Sequence, residues 1–329
     1  MNRVVVHFRL RGLAAVLVAS CVIVAACSSG SSSRSTSTSR AAGVVTTAVG
    51  VGVSGAFGAA PKLTVPATRA PVILTQQTIS LGRGARVVKG DTVVVNYVGQ
   101  TWAPKKGKVD IFDSSFSHGA PAAFVIGEGK VIPGWDKSLV GKKLGSRLIL
   151  TVPPVDGYGA GGQSSAGITG SDTLVFVVDL IAAYPPSAAA AGIVVAKLPA
   201  SGLPKITNVA GRKPEIISTA GVKVPTKPVS TLVVTGSGPK IDTGKVLVVQ
   251  FVQTDLATGR KTQSTWGQGP QTLPAKKVLS IADKLSGQRI GSRVIVLLPA
   301  TAATPASATQ QAQPAVSPQI LVIDVVGQY

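Results

Sequence analysis

Cysteine, histidine, methionine and aromatic residues are all scarce in this chain of 329 residues, which has two Cys, two His, one Met and only 4% Phe, Trp and Tyr. The two cysteines, Cys21 and Cys27, both lie near the N-terminus. Cys21 sits inside an apolar run, Leu13 to Ala26, that follows the positive residues Arg3, Arg9 and Arg11. Such a run is too short for a comfortable membrane span and reads as an export signal over 1–26. Val24-Ala25-Ala26-Cys27 then has the form of a lipobox, with Cys27 lipidated and first in the mature chain. A plain secretory signal or an uncleaved anchor, with Cys27 incidental, is the competing reading. In the lipoprotein reading the mature chain keeps no free thiol and no disulfide, which excludes thiol catalysis and a Cys-based metal site.

Acidic residues are scarce as well, with 13 Asp and Glu against 33 Lys and Arg, a formal charge of +20. The imbalance is uneven. Residues 86–184 hold ten basic and eight acidic residues, whereas 192–329 hold fifteen and five. A basic surface on a membrane-tethered protein suits anionic lipid or anionic wall polymer, and a merely solvated surface is the plainer reading. No basic helix interleaved with aromatics points to nucleic acid.

The aromatic residues that are present gather between Tyr97 and Phe176. Tyr97 closes the strand-like VVVNY (93–97), and Phe112-Asp113-Ser114-Ser115 follows a Lys- and Gly-rich loop. VIPGWD (131–136) opens a short helix, with Pro133 suited to its first turn and Asp136 to its positive end. Tyr158-Gly159 lies in a glycine-rich loop and Phe176 within TLVFVVDL (173–180). No second acid, Cys/His pair or phosphate-cradling loop accompanies them, so neither metal nor cofactor is expected. A site built this way encloses something apolar.

In this order and spacing, VNYVG (95–99), IFDSS (111–115), VIPGW (131–135), VGKKLGSR (140–147), YGAGG (158–162) and TLVFVVDL resemble the FKBP-type peptidyl-prolyl cis-trans isomerases, over roughly 86–184. The resemblance implies an α+β fold in which a curved antiparallel sheet wraps one short helix. It implies proline-containing polypeptide clients and no cofactor. It places Trp135 as the pocket floor, with Tyr97, Phe112, Phe124, Val131, Ile132 and Phe176 as walls and Ile168 beside them. Tyr158 would offer its hydroxyl and Ile132 its backbone N–H to substrate carbonyls, while Asp113 would order the polar edge from a buried side. For Phe124 and Phe176 plain core packing is an equal alternative, and Asp113 could simply cap a turn. Ala122, His118, Lys130 and the loop 163–170 depart from the family pattern and imply a shallower cup.

The chain also repeats itself. Gly82, Gly90 and Tyr97 recur as Gly236, Gly244 and Phe251, 154 positions on. VGKKLGSRLIL (140–150) recurs as SGQRIGSRVIV (286–296), and PKLTV (61–65) as PKITNV (204–209). The expected organisation is a signal over 1–26, a flexible tether over 27–57, a lead-in with catalytic domain over 58–184, a linker over 185–201 and a degenerate copy over 202–329. In that copy a short helix is expected near Ile281 to Gly287. Phe112-Asp113 becomes Gln263-Ser264, VIPGWD becomes VLSIAD with Ala282 near the Trp135 position, and the tyrosine loop becomes the low-complexity run Ala300 to Pro318. Trp266 marks either another binding surface or packing. The leading expectation is a lipid-anchored, extracytoplasmic prolyl isomerase. A non-catalytic chaperone that grips prolyl segments and an envelope interaction protein are the alternatives.

Overall fold

The computed structural model describes residues 45–103, 111–199, 202–303 and 314–329. The expected signal, Cys27 and the start of the tether lie outside the described residues. Val44–Tyr329 forms one compact unit whose described residues make two large antiparallel sheets and two small ones.

In the first half, β1 (Val45–Thr46), β2 (Gly52–Ser54) and β3 (Lys62–Thr64) form a small sheet of their own. The main sheet comprises β4 (Thr75–Ser80), β5 (Thr92–Thr101), β6 (Ile111–Ser114), β7 (Ala122–Val125), β8 (Arg147–Val152) and β9 (Leu174–Tyr184). Their order is β4-β8-β9-β5-β6, and β7 pairs with the other end of the β5 edge that β6 uses. One α-helix, α1 (Pro133–Leu139), and three 3-10 turns complete this half.

The long valine runs are explained by burial on both faces. Successive strand residues point to opposite sides. Leu174, Phe176, Val178 and Leu180 of β9 accordingly enter the helix-side core with Val93, Val95, Leu148 and Leu150. Val175 and Val177 enter a second core with Ile149, Trp102, Val51 and Val53 of the small sheet. The tether expected to run to residue 57 is thus corrected: residues 45–54 are strand and turn, and Val51 and Val53 are buried.

That back face carries the most deeply buried charges. Arg147 and Asp179, register partners on β8 and β9, are 1% exposed each. The guanidinium donates to both carboxylate oxygens at 2.6 and 2.7 Å and to the Gly55 and Ala59 carbonyls at 2.6 and 2.7 Å. Gly58 N–H donates to the same carboxylate at 2.7 Å. Each guanidinium nitrogen has an acceptor, in keeping with the cost of burying an ion pair, and the bonds lock the small sheet to the large one.

The second half contains β10 (Gly192–Val194), β11 (Lys205–Thr207), β12 (Glu215–Ser218), β13 (Val229–Gly236), β14 (Val246–Asp255), β15 (Lys261–Ser264), β16 (Gln271–Pro274), α2 (Ala275–Ile281), β17 (Arg293–Leu298) and β18 (Gln319–Gln328). Its main sheet runs β10-β13-β17-β18-β14-β15, with β16 on β14, so from β13 onward it follows the order of the first. Arg293 and Asp324 form the matching buried pair at 2.6 and 2.8 Å, and the guanidinium donates to the Arg212 carbonyl at 2.5 Å. Two expectations change here. The linker 185–201 contains β10, and Ala190, fully buried, donates its N–H to Asp324 at 2.8 Å. The helix comes earlier than Ile281 because β16 ends directly at Pro274; only a 3-10 turn, Asp283–Leu285, occupies the expected stretch. Among the described residues, no helix is long and apolar enough to cross a membrane.

Candidate active site

The site lies where β5, β6, β7 and β9 meet α1. Ile132 is extended, with φ −61° and ψ 144°, and Pro133 starts the helix, so Trp135 arrives on its first turn facing the sheet. Asp136 accepts the Gly127 and Gly129 N–H groups at 2.6 and 2.8 Å and so fixes the loop that leads into Val131-Ile132. Gly134 is needed for this approach, since a Cβ there would stand 2.7 Å from a Val152 methyl carbon.

Trp135 is 4% exposed and its indole packs edge-on against three rings: Phe124 at 5.2 Å, Phe176 at 5.4 Å and Tyr97 at 5.5 Å between centroids. Phe112 meets Phe176 at 5.6 Å, and Tyr97 meets Phe124 at 5.9 Å. Edge-to-face geometry at these distances is the favoured arrangement for ring quadrupoles. Tyr97, Trp135, Ile168 and Phe176 are buried, while Phe112, Phe124, Val131, Ile132 and Tyr158 are partly exposed above them. The ten site residues named from sequence are therefore one cluster with a dry floor and a half-open rim, except that Asp113 occupies the rim itself.

Asp113, expected on a buried side, has a side chain 40% exposed. It accepts the Tyr97 hydroxyl at 2.5 Å, and His118 Nε2 stands 3.7 Å from its other oxygen. Burial, then the Asp113 hydrogen bond and charge, push the Tyr97 hydroxyl far above its ordinary value of 10.0. Tyr158 is shifted the same way, first by burial and then by Asp113. Both hydroxyls therefore stay protonated as donors well into alkali, and kcat/KM is expected to stay flat from pH 8 to 10; a pH–rate profile measures this, and a fall centred near 10 would contradict it. The same shifts bear on stability. It is intact below about pH 10, where unfolded tyrosines begin to ionise, and declines above it because the folded chain retains those protons.

The Tyr158 hydroxyl makes no hydrogen bond to another described residue, nor does the Ile132 N–H. The indole N–H of Trp135 is buried and also unpartnered. The Tyr158 hydroxyl and the Ile132 N–H are thus donors without an acceptor among the described residues. Lys137 bonds Asp156 at 2.5 Å, tying α1 to the turn that delivers Tyr158.

Two supporting residues were not singled out by sequence reasoning. Ser115 Oγ accepts the Tyr97 N–H at 2.9 Å and holds β5 to the segment after β6. Gly99 provides space: a Cβ there would lie 2.8 Å from both Phe112 and Phe176 ring carbons. The signal was available, since a glycine in a strand often marks a close approach. Gly99→Ala is expected to cost about 1–3 kcal/mol by overpacking and to lower activity through the displaced rings, as denaturant melts and a peptide assay on one sample can establish.

Residues 84–181 match the family described as FKBP-type peptidyl-prolyl cis-trans isomerase. A Streptomyces anulatus FK506-binding protein is 36% identical over 122 residues, 37% of this chain and 95% of that protein. The chain belongs to the FKBP-type isomerase family. It is a peptidyl-prolyl cis-trans isomerase. FK506-binding protein 1 of Aspergillus oryzae is 37% identical over 111 residues, covering 32% of this chain and 94% of that protein. FKBP15-1 of Arabidopsis thaliana, a peptidyl-prolyl cis-trans isomerase, is 43% identical over 94 residues, 29% and 58% of the two chains. The mostly-sheet fold with few helices fits an FKBP-like domain over the matched residues.

Proposed function

We propose that the first half isomerises X-Pro bonds by seating the prolyl ring on Trp135, and that it does so on exported polypeptides at the cell envelope. The carrying observation is the convergence of Tyr97, Phe124, Trp135 and Phe176 in one apolar ring cluster, with the partly exposed Tyr158 hydroxyl and the Ile132 N–H beside it free of acceptors among the described residues. Rotation about an X-Pro bond is slow because it breaks amide resonance, a barrier of roughly 18–20 kcal/mol. The twisted amide is less dipolar than the planar one, so a dry pocket disfavours the planar form more. Tyr158 and the Ile132 N–H hold the flanking carbonyls while this happens. Removing about 5–7 kcal/mol would accelerate rotation by on the order of 10⁴- to 10⁵-fold. Only this differential stabilisation is required; no bond is made or broken.

We read the second half as a degenerate, non-catalytic copy. Its strand order, its Arg293–Asp324 pair and the Thr265 Oγ1 that accepts the Phe251 N–H at 2.9 Å, as Ser115 does for Tyr97, support common descent. The pairing supports a correspondence one residue from that expected: Gln253 faces Gln263 as Gly99 faces Asp113, so we read Gln263 in place of Asp113 and Ser264 in place of Ser114. By the same registers Leu273 stands for Phe124 and Leu321 for Phe176, and Val278, Ala282 and Leu285 fill the helix side. The counterpart of the Tyr158 loop lies partly outside the described residues.

Envelope action rests on Arg3, Arg9, Arg11 and the Val24-Ala25-Ala26-Cys27 sequence, and the basic 192–329 segment suits an anionic surface beside the anchor. A fatty-acid analogue supplied to cells should label the full chain and leave Cys27→Ser unlabelled and unanchored. Equal labelling or equal membrane association of the two would remove this part of the proposal. A prolyl-peptide exchange assay tests the other part, with turnover expected in the full chain and strongly reduced in Trp135→Leu.

A further inference from the structure

β7 is four residues long, lies at the sheet edge and pairs with only part of β5. A short edge strand of this kind should fray readily. It nevertheless carries Phe124, whose ring packs against Trp135 and Tyr97 and helps wall the pocket. Something else must hold it, and both of its ends are touched by the second half of the chain.

Before the strand, the Pro121 carbonyl accepts the hydroxyl of Tyr329 at 3.3 Å. Tyr329 is itself fixed by reciprocal backbone bonds with Val246 at 3.1 and 3.2 Å. At the far end, Gly269 sits against Val125 and its register partner Thr92. A Cβ on Gly269 would lie 3.1 Å from a Val125 methyl carbon and 2.4 Å from Thr92 Oγ1. Beside them, a Cβ on Gly327 would stand 2.1 Å from the hydroxyl oxygen of Tyr184, which pairs with Thr92 on the other edge of β5. Gln250 Nε2 donates to the Pro186 carbonyl at 2.9 Å, closing the same seam. Two glycines without room for a Cβ, together with the Tyr329 hydroxyl bond, describe a fitted contact.

We propose that the second half braces the wall of the isomerase pocket, pinning β7 at Pro121 and at Val125 and so positioning Phe124 for the prolyl ring. This gives the copy without a ring cluster a use in the reaction of the copy that has one. Tyr329 and Gly269 are positioning residues that act through β7, and Gly327 fits the same seam against Tyr184. The inference rests on Phe124 lining the prolyl site.

The experiment compares full-length wild type, Tyr329→Ala, Gly269→Val, Phe124→Ala and the two doubles with Phe124→Ala, by prolyl-peptide kinetics and hydrogen exchange. Tyr329→Ala keeps every backbone bond of its residue, so it tests the brace even if Gly269→Val perturbs folding. Tyr329→Ala is expected to raise KM about threefold and Gly269→Val about tenfold, with kcat within about twofold, as loss of binding shared by ground and transition states requires. Exchange should quicken at 122–125 while the amides of β8 and β9 keep their protection. In the Phe124→Ala background neither change should add a further loss, because the residue through which they act is gone. Wild-type kinetics and protection in both single variants would overturn the brace, as would losses that multiply in the doubles. If Phe124→Ala itself leaves KM and kcat unchanged, the pocket reading beneath the brace fails first.

Discussion

Trp135→Leu in the full chain is expected to lower kcat/KM about a hundredfold, equivalent to about 2.7 kcal/mol of lost transition-state stabilisation. The indole is the one ring that touches Tyr97, Phe124 and Phe176 together. Ring pairs of this geometry contribute roughly 0.5–1.5 kcal/mol each beyond the area they bury. Leucine keeps an apolar floor but loses the flat surface, so the prolyl ring is neither flanked nor aligned. Truncation of a buried Trp to Ala would cost about 3–5 kcal/mol of stability and confuse the reading, which is why Leu is preferred and why each variant must be shown folded by near-UV dichroism. A loss smaller than about threefold would mean that the floor does not bear on the reaction.

Asp179→Ala should be the most destabilising single change in the first half and should act at the face opposite the pocket. It leaves the Arg147 guanidinium, almost wholly buried, with backbone carbonyls alone as partners. Breaking one side of a buried pair costs about 3–5 kcal/mol, which for a body of this size lowers Tm by about 10 °C. The small β1–β3 sheet should loosen first, because Gly58 loses its carboxylate acceptor and Gly55 and Ala59 depend on the same guanidinium. Limited proteolysis within 45–66 would register that release. Replacing both charges, with Arg147→Met and Asp179→Leu together, should recover much of the loss, since no unpaired charge then remains. A double variant as unstable as Asp179→Ala would show that packing around the pair, and not its charge, is what matters.

The parts of this protein that could be read from sequence are those governed by local pattern. The alternation in TLVFVVDL, with Phe176 on one face and Val175 and Val177 on the other, follows from the two-residue period of a strand. Pro133 and the spacing to Trp135 set where the helix starts and which side chain it turns inward. The parts that were misplaced depend on partners distant in the chain. Residues 45–54 look like a continuation of a tether because their strands are two and three residues long and glycine-rich. They are ordered by Trp102, Ile149, Val177 and the Arg147–Asp179 pair, none of which is near them in sequence. In the second half, direct passage from β16 into α2 moves the helix upstream. Register across β14 and β15 puts Gln263 opposite Gln253, and register across β5 and β6 puts Asp113 opposite Gly99. The fit of Gly327 against Tyr184 left no trace in any local motif.

The proposed catalysis requires a prolyl ring resting on Trp135, and magnetisation transfer between a bound proline-containing peptide and the full-length protein tests that most directly. Proline ring protons should show contacts to the Trp135 indole and to the Tyr97 and Phe176 rings, with none to residues of 192–329. Contacts confined to the second half, or a peptide that turns over while its proline stays remote from the indole, would contradict it.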